Sequence, residues 1–310
     1  MKFRALILFV FAAAVASVLT VRFASAQSCS GFPPGSGWTT GEIKTGNYGD
    51  ISVNANGFLW AVGSNGVELI QARGDLGRCF FPASLQFPGG QSVNQGTVAS
   101  APDNSVWVVS NSKNIWQLPP PTIDTNQGTC QWNNGWLSYP GTAHDIAVTS
   151  GGTTWVTGTN SVGGGYGIWF WNTVTHQWQS VQGGAVRIAA ATGGLSDTGQ
   201  PWVVNNSNQI IRRNADGSWT GYSGSAWDIS LDSSGLPVVV GTFHAQGSTA
   251  FLMYYFNASS GWVTDPNIPF PYGGAKITSG MQVQASRSPY CHVSFFIDDS
   301  GNIWQLTVPG

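Results

Sequence analysis

The stretch from Gly135 to Asn172 reads GWLSYPGTAHDIAVTSGGTTWVTGTNSVGGGYGIWFWN, and it decides the fold. Trp136 opens it, and a glycine-bounded turn then leads to an alternating run at residues 144–148. A Gly-Gly turn separates that run from residues 155–158, and a glycine-rich loop leads to an aromatic run at residues 168–172. Because apolar and polar residues alternate with a period of two between turn residues, the stretch predicts four short β-strands and no helix.

The same unit recurs through most of the chain. Its first run alternates and is rich in small residues, which suits the crowded inner strand of a radial sheet. The copies of this run are Gly49–Val53, Gly96–Ser100, His144–Val148, Val186–Ala190, Trp227–Leu231 and Met281–Ala285. The second run carries a large residue after a polar turn, at Trp60, Trp107, Trp155, Trp202, Val238 and Phe295. The copies indicate six units of roughly 47 residues each.

The fourth run of a unit usually opens with a large aromatic residue, and one copy stands out of order. The copies within the chain of units are Phe81, Trp136, Trp178, Trp219 and Trp262. The remaining copy, Trp38, precedes the first unit, whereas the last unit ends without one. Pairing of Gly37–Ile43 with the last unit would remove the free sheet edges. The sequence therefore predicts an all-β, six-bladed β-propeller of four-stranded blades, closed by the N-terminal strand; an open solenoid would require polar capping units instead.

The N-terminus has the pattern of a secretory signal peptide. Lys2 and Arg4 precede an apolar run from Ala5 to Val21, and small residues follow up to Ala26. The apolar run is short for a membrane anchor. We therefore expect cleavage of residues 1–26 and a secreted, extracellular protein, or a periplasmic one in a bacterium, with no membrane span. The propeller is predicted over residues 27–310, with blades at approximately 44–87, 93–139, 142–182, 185–223, 225–264 and 277–308 plus the closing strand 37–43.

Composition excludes two classes of protein. Charged residues make up 8% of the chain and the formal net charge is −2, so no basic stripe is available for nucleic acid. Fifteen Trp and sixteen Phe supply the apolar area that disordered chains lack.

Four cysteines follow the predicted cleavage site. An even number in an exported chain predicts two disulfides, and their spacing does not fit zinc. The pairing among Cys29, Cys79, Cys130 and Cys291 stays open at this point, because Cys79 and Cys130 fall in neighbouring units and either could pair elsewhere.

The units resemble those of the tectonin family of β-propeller lectins, which includes tachylectin-like and fish-egg-lectin-like proteins. The shared pattern is a Trp, a Gly turn, a D-I-x-V strand, a second Gly turn, an x-W-x-V strand and an aromatic third strand. It is clearest at Trp136–Trp171 and Trp219–Phe256. The resemblance implies non-catalytic, multivalent glycan binding around the ring, without a cofactor, by a monomer.

Candidate ligand-binding residues combine aromatic faces with hydrogen-bonding groups. Sugar rings present apolar faces and hydroxyl rims, so aromatic residues together with Asp and His fit this chemistry. We expect five of the aromatic residues to lie in loops beside turns, namely Tyr139, Tyr166, Tyr222, Trp227 and Tyr272. The candidates are Tyr48, Asp50, Tyr139, His144, Asp145, Tyr166, Tyr222, Trp227, Asp228 and Tyr272. The Asp of the D-I strand has an alternative role as an acceptor of backbone N–H groups at a strand start. The residue before it varies among Gly49, His144 and Trp227, which is where ligand preference could differ between copies.

The chain lacks the sequence features of a catalytic site. The segment Asp299–Trp304 resembles the Asp-box turn of sialidases, but Ile297 stands where that motif has Ser, and no repeating Arg positions accompany it. No nucleophile elbow, metal-binding helix or nucleotide fingerprint is present. A secreted, non-catalytic glycan-binding protein that recognises cell-surface or microbial saccharides at several sites is therefore the main hypothesis, and the sequence leaves any calcium requirement open. A protein-binding or scaffold propeller is the alternative, and a glycosidase-type propeller is a weaker one.

Overall fold

The computed structural model describes residues 39–71, 79, 81, 87–88, 91–190, 199–232, 235–244, 251–263, 274–282, 291–298 and 300–307. Within these ranges the chain forms β-strands and turns and contains no α-helix. The predicted signal peptide at residues 1–26, Cys29, Trp38 and Tyr272 lie outside the described residues. No helix in the described part of the chain is long and apolar enough to cross a membrane.

The strands follow one another in short antiparallel meanders. In the first half of the chain they are β1 (Thr39–Lys44), β2 (Tyr48–Val53), β3 (Leu59–Gly63), β4 (Gly66–Gln71), β5 (Thr97–Ser100), β6 (Val106–Val109), β7 (Asn114–Leu118), β8 (Thr122–Asp124), β9 (Thr129–Gln131), β10 (Leu137–Val148), β11 (Thr154–Val162) and β12 (Gly165–Asn172). In the second half they are β13 (Gln177–Ala185), β14 (Arg187–Ala189), β15 (Trp202–Val204), β16 (Gln209–Arg213), β17 (Trp219–Leu231), β18 (Pro237–His244), β19 (Phe251–Asn257), β20 (Gly261–Val263), β21 (Gly274–Gln282), β22 (Cys291–Asp298) and β23 (Ile303–Thr307).

Two long strands each serve two neighbouring units. The first part of β10 pairs with β7 and its second part with β11, and β17 joins β16 to β18 in the same way. The predicted glycine-bounded turn after Trp136 is therefore wrong. The chain stays extended through Gly141, which adopts φ +87°, and shifts in pairing register on both sides re-aim the strand toward the next unit.

The large residues of the second strands form the cores between units. Trp60, Trp107, Trp155, Trp202, Val238 and Phe295 are all buried, as the repeat predicts. The inner strands β2, β5, β10, β14 and β17 surround a narrow central cavity of about 60 Å³. Small residues on these strands allow this convergence, so the prediction of an all-β, propeller-type architecture is confirmed.

Aspartates on the inner strands connect one unit to the next. Asp50 Oδ2 accepts a hydrogen bond from the backbone N–H of Val98 at 2.8 Å. Asp145 Oδ2 accepts one from the N–H of Ile188 at 2.9 Å, and its Oδ1 accepts one from the N–H of Ile146 at 3.0 Å. We call this contact the inner link. It gives a hydrogen-bond acceptor to buried backbone N–H groups of the following unit.

Tryptophans on the outer strands make a second connection, the outer link. The indole N–H of Trp178 donates to the carbonyl of Pro140 at 2.7 Å. Trp219 donates in the same way to Gln182 at 2.7 Å, and Trp262 to Ser223 at 2.6 Å. In each case the acceptor belongs to the preceding unit. The prediction that these residues pack between units holds for all three.

The last unit has a different register from the predicted one. Phe295 pairs with Thr278, in the way that Trp107 pairs with Ala99. This register makes Lys276, rather than Gln282, the counterpart of the inner-strand aspartates, so the predicted inner run at residues 281–285 is wrong. The error arises because a lysine stands here in place of the aspartate that marks three of the other inner runs. At the other end of the unit, β1 pairs with β23 from Thr39 to Lys44.

One disulfide joins Cys79 to Cys130. Cys130 lies on β9, which forms a separate hairpin with β8. Phe81 and Trp132 pack beside this bridge against the buried Trp60, with ring centroids 5.2 and 6.1 Å from that of Trp60. The side chain of Cys291 lies outside the described set, so its pairing stays a prediction.

The inner link can be tested by comparing two aspartates with different surroundings. Asp145→Ala should lower the free energy of unfolding by about 3 kcal/mol, because it leaves the buried N–H groups of Ile146 and Ile188 without their acceptor and removes one of the carboxylates that compensate the charge of Arg187. Asp103→Ala removes an exposed carboxylate that accepts one N–H within its own turn, and should cost less than about 1 kcal/mol. Urea unfolding of both variants measures the difference. Equal losses would mean that the inner link does not hold the units together.

Candidate functional site

One register position on the inner strands carries a polar residue in unit after unit, and we call this set of residues the ring position. In each unit, one residue of the inner strand pairs with the large residue of the second strand. The residue at the ring position lies two positions before that inner-strand residue. The six occupants are Asp50, Thr97, Asp145, Arg187, Asp228 and Lys276. Arg187 was not among the predicted site residues, because it stands where three other units have aspartate and does not itself recur.

Arg187 lies among the three aspartates of this ring. Its Nε is 3.4 Å from Asp228 Oδ1, and one Nη donates to the carbonyl of Val186 at 3.0 Å. Burial alone would lower the pKa of Arg187, but the carboxylates of Asp145, Asp228 and Asp50 outweigh it and raise the pKa. The guanidinium is therefore a permanent cation whose charge these carboxylates compensate.

A cavity of about 300 Å³ lies beside Arg187, and we call it the channel-mouth pocket. Its lining comes from four neighbouring units and comprises Gly49, Gln95, Gly96, Thr97, Lys113, His144, Tyr166, Val186 and Arg187. The rings of His144 and Tyr166 stack on one wall, with centroids 3.8 Å apart and planes inclined by 22°. Of the predicted ligand residues, His144 and Tyr166 are thus brought together.

The charge around His144 is positive. Partial burial lowers the pKa of its imidazole, and the cations of Lys113 and Arg187 lower it further. A neutral imidazole therefore faces two fixed positive charges across the pocket. Lys113 was also missed by the sequence analysis.

A second cavity, of about 260 Å³, lies between the second and third units, and we call it the tryptophan groove. Trp169 and Trp178 line it together with Thr142, Thr159 and Asn160, and the rest of its lining is Ile115, Gly141, Val156 and Gly158. The indole of Trp169 donates to Asn160 Oδ1 at 3.2 Å, and the hydroxyls of Thr142 and Thr159 are 2.7 Å apart. The groove carries no charged side chain.

Four of the predicted aromatic residues lie in strands rather than in loops. Tyr139 is on β10, Tyr166 on β12, and Tyr222 and Trp227 on β17. The prediction of loop positions is therefore wrong, because the chain runs extended through the glycines that were read as turns. Sequence gave no means of separating a glycine bulge from a turn.

Tyr139 and Tyr222 occupy equivalent places between units. The ring of Tyr139 lies 4.4 Å from that of Trp107 and 5.0 Å from that of Trp171. Tyr222 lies 4.5 Å from Trp202 and 5.5 Å from Phe256 in the same manner. Their rings therefore pack two units together.

The other candidates divide into buried and exposed residues. Tyr48 is buried and donates its hydroxyl to Glu68 at 3.0 Å. Asp50, Asp145 and Asp228 are buried in the ring, where at least two of them accept backbone N–H groups. Trp227 is 46% exposed and its ring lies 6.0 Å from that of Phe251.

The turn that resembles an Asp-box is closed by Asp298. Its Oδ1 accepts the N–H groups of Ser300 and Asn302, each at 2.9 Å, and its Oδ2 accepts the indole N–H of Trp304 at 2.8 Å. The carboxylate is buried and fully used within the turn between β22 and β23. In the described part of the chain no three His, Cys, Asp or Glu side chains are grouped so that they could hold a metal ion.

Comparisons with known proteins give similarity at the level of the fold. No protein-family model and no curated protein matches the chain. Among solved structures, the chain is similar to BBS1N in complex with ARL6DN, at 10% identity and a TM-score of 0.47, covering 84% of this chain and 77% of that one. It is similar to YCF48 bound to D1 peptide, at 15% identity and a TM-score of 0.44, covering 92% and 100%. It is also similar to the WD40 domain of Toxoplasma gondii coronin, at 10% identity and a TM-score of 0.47, covering 84% and 68%. These scores are too low to carry an argument about function.

The titration of His144 tests the charge of the channel-mouth pocket. We expect its pKa in the folded protein to lie below the usual value of about 6.5. Since the unfolded state then binds the proton more readily, stability contributed by neutral His144 is lost as the pH falls through that unfolded value. Lys113→Asn should raise the pKa of His144 by removing one cation. NMR titration of the imidazole measures both pKa values, and an unchanged pKa in the variant would contradict this account.

Proposed function

We propose that the chain forms a closed ring of six blades. Two observations support this arrangement. Strand β21 lies against both β2 and β17, which belong to the first and fifth units. The pairing of β1 with β23 supplies the outer strand that the last unit lacks. Closure of this kind leaves no free sheet edge.

We propose that this ring is a non-catalytic saccharide-binding protein, exported after removal of its signal peptide. The observation that carries the proposal is the tryptophan groove. Two indole rings in a groove offer apolar faces to the C–H face of a sugar. The amide of Asn160 and the hydroxyls of Thr142 and Thr159 line the same groove and can form hydrogen bonds with the hydroxyl groups of the sugar. The absence of charged side chains from this lining favours a neutral saccharide.

Gly158 keeps the groove in this shape. A Cβ atom at this position would lie 2.9 Å from the indole nitrogen of Trp169 and 3.0 Å from Asn160 Oδ1. Any larger residue would push apart the hydrogen-bonded pair that forms one wall. The absence of a side chain at Gly158 therefore leaves room for the hydrogen bond between the Trp169 indole and the Asn160 amide.

The fifth unit repeats several elements of the groove. Gly241 takes the place of Gly158, and Tyr254 takes the place of Trp169 against it. Trp262 and Gly224 repeat the outer link that Trp178 and Gly141 make in the third unit. Two sites on one ring would bind a surface with many saccharides more strongly than either site alone.

A protein partner is the second candidate, and one surface favours it. On the fifth unit Trp227 is 46% exposed and Phe243 is 64% exposed. The ring of Phe251 lies 6.0 Å from that of Trp227 and 4.4 Å from that of His244, so these three aromatic side chains form one group. Exposed aromatic residues grouped in this way are typical of protein-binding surfaces.

A glycan array identifies the saccharide, and calorimetry with a binding saccharide then tests the groove. Trp169→Ala should remove one binding site per chain, or weaken it about tenfold or more, because a stacked aromatic face is lost. Trp219→Ala is the control, since it truncates an outer-link tryptophan that does not line the groove. Circular dichroism shows whether both variants fold. Equal saccharide binding by folded wild type and Trp169→Ala would exclude the groove, and a blank array would favour the protein partner.

A further inference from the structure

We propose that the channel-mouth pocket is a second ligand site, which binds a sugar residue that carries a single carboxylate. It is separate from the tryptophan groove, which fits a neutral saccharide. The inference rests on the proposed function in that the ligand is a saccharide. Its site, ligand charge and contact residues are independent of the groove.

The net charge available to a ligand comes from Lys113. The charge of Arg187 is compensated by the ring aspartates, and His144 is neutral because its pKa is lowered. Within the described ranges no carboxylate lies at ion-pair distance from Lys113. One uncompensated cation beside a guanidinium is suited to one carboxylate.

The backbone at Lys113 adopts a conformation that lysine seldom takes. It has φ +68° in the turn between β6 and β7, a left-handed conformation that is uncommon for lysine and favours Gly or Asn. Its counterpart in the fourth unit is Asn208, with φ +61°. Both residues make the same pair of backbone hydrogen bonds, to Ser110 and Ala143 in one unit and to Asn205 and Ala226 in the other. The turn would therefore form more easily with asparagine.

Thr97 contributes a hydroxyl that lacks a partner. It lines the pocket and is only 6% exposed, yet its Oγ1 has no hydrogen-bond partner among the described residues. A buried hydroxyl without a partner is costly, and threonine at this ring position replaces the aspartate of other units. A ligand oxygen in the pocket would satisfy it.

The shape and the surrounding charge narrow the ligand to a monosaccharide with one negative charge. The volume of about 300 Å³ is at the lower end of the range for small-molecule sites. The stacked His144–Tyr166 wall offers an aromatic surface to a sugar ring. Asp50 and Asp145 lie in the adjoining ring, so a dianion such as phosphate would be repelled more strongly than a carboxylate.

The test compares methyl glucuronide and N-acetylneuraminate with methyl glucoside and inorganic phosphate, using calorimetry on the mature chain. Wild type should bind an acidic sugar at least about tenfold more tightly than methyl glucoside. Lys113→Asn should weaken acidic-sugar binding by about tenfold or more, because a charge-assisted contact is lost. The turn should survive, since Asn208 occupies the same conformation. Thr97→Val should weaken binding while leaving thermal stability equal or higher. Lys44→Gln, which removes a cation outside the pocket, should leave binding unchanged.

Each outcome separates this site from the groove. Tighter binding of phosphate than of the acidic sugars, equal binding of glucoside, or unchanged binding by Lys113→Asn would overturn the inference. Neutral-saccharide binding that depends on Trp169 would then still support the proposed function. Conversely, acidic-sugar binding that depends on Lys113 and not on Trp169 would support the inference, even if the groove bound nothing.

Discussion

The inner strands depend on a hydrogen bond in which a backbone N–H of one unit donates to an aspartate of the preceding unit, as Val98 does to Asp50 and Ile188 to Asp145. Neighbouring inner strands converge too closely for large side chains, so apolar packing alone cannot join them there. A buried carboxylate such as that of Asp145 reaches across and satisfies a main-chain donor at Ile188. Farther out, where the units diverge, the bulky tryptophans fill the space and an indole such as that of Trp178 makes the connection to the preceding unit. The inner link and the outer link therefore both join neighbouring units, one near the central cavity and one farther from it.

Because the aspartate side chain makes the inner link, the residue before it is not needed for this contact and differs between units. The carboxylate is buried in the fold, whereas the preceding position is Gly49 or His144 at the channel-mouth pocket and the 46% exposed Trp227 in the fifth unit. A change there alters the surface without removing a link between units. The same structural repeat can therefore present glycine, imidazole or indole to a ligand.

The sequence predicted the strands and the buried large residues because both depend on local alternation and on one bulky position per unit. It did not predict that Tyr139 and Tyr222 would be held between rings of two units, since that depends on packing across the repeat. The sequence also did not single out Lys113, because its positive φ angle cannot be seen in the sequence. Arg187 could have been found by aligning the inner runs and asking which residue replaces aspartate. The tryptophan groove could not have been found in this way, because each residue that lines it has the sequence pattern of a core residue.

The order of residues around the ring explains why aspartate recurs in alternate units only. Asp50 and Asp145 each accept from the unit that follows, and that following unit supplies an N–H donor rather than a carboxylate. In the donor units the ring position is occupied by Thr97, Arg187 and, by register, Lys276. Arg187 lies among the carboxylates of Asp50, Asp145 and Asp228, and its charge reduces the repulsion among these buried negative charges. The second unit is the exception. Its ring residue, Thr97, is neutral, and its cation, Lys113, lies in the neighbouring turn and lines the channel-mouth pocket. Because this cation lines the pocket instead of occupying the ring position, the second unit adds positive charge to the pocket without adding it to the ring.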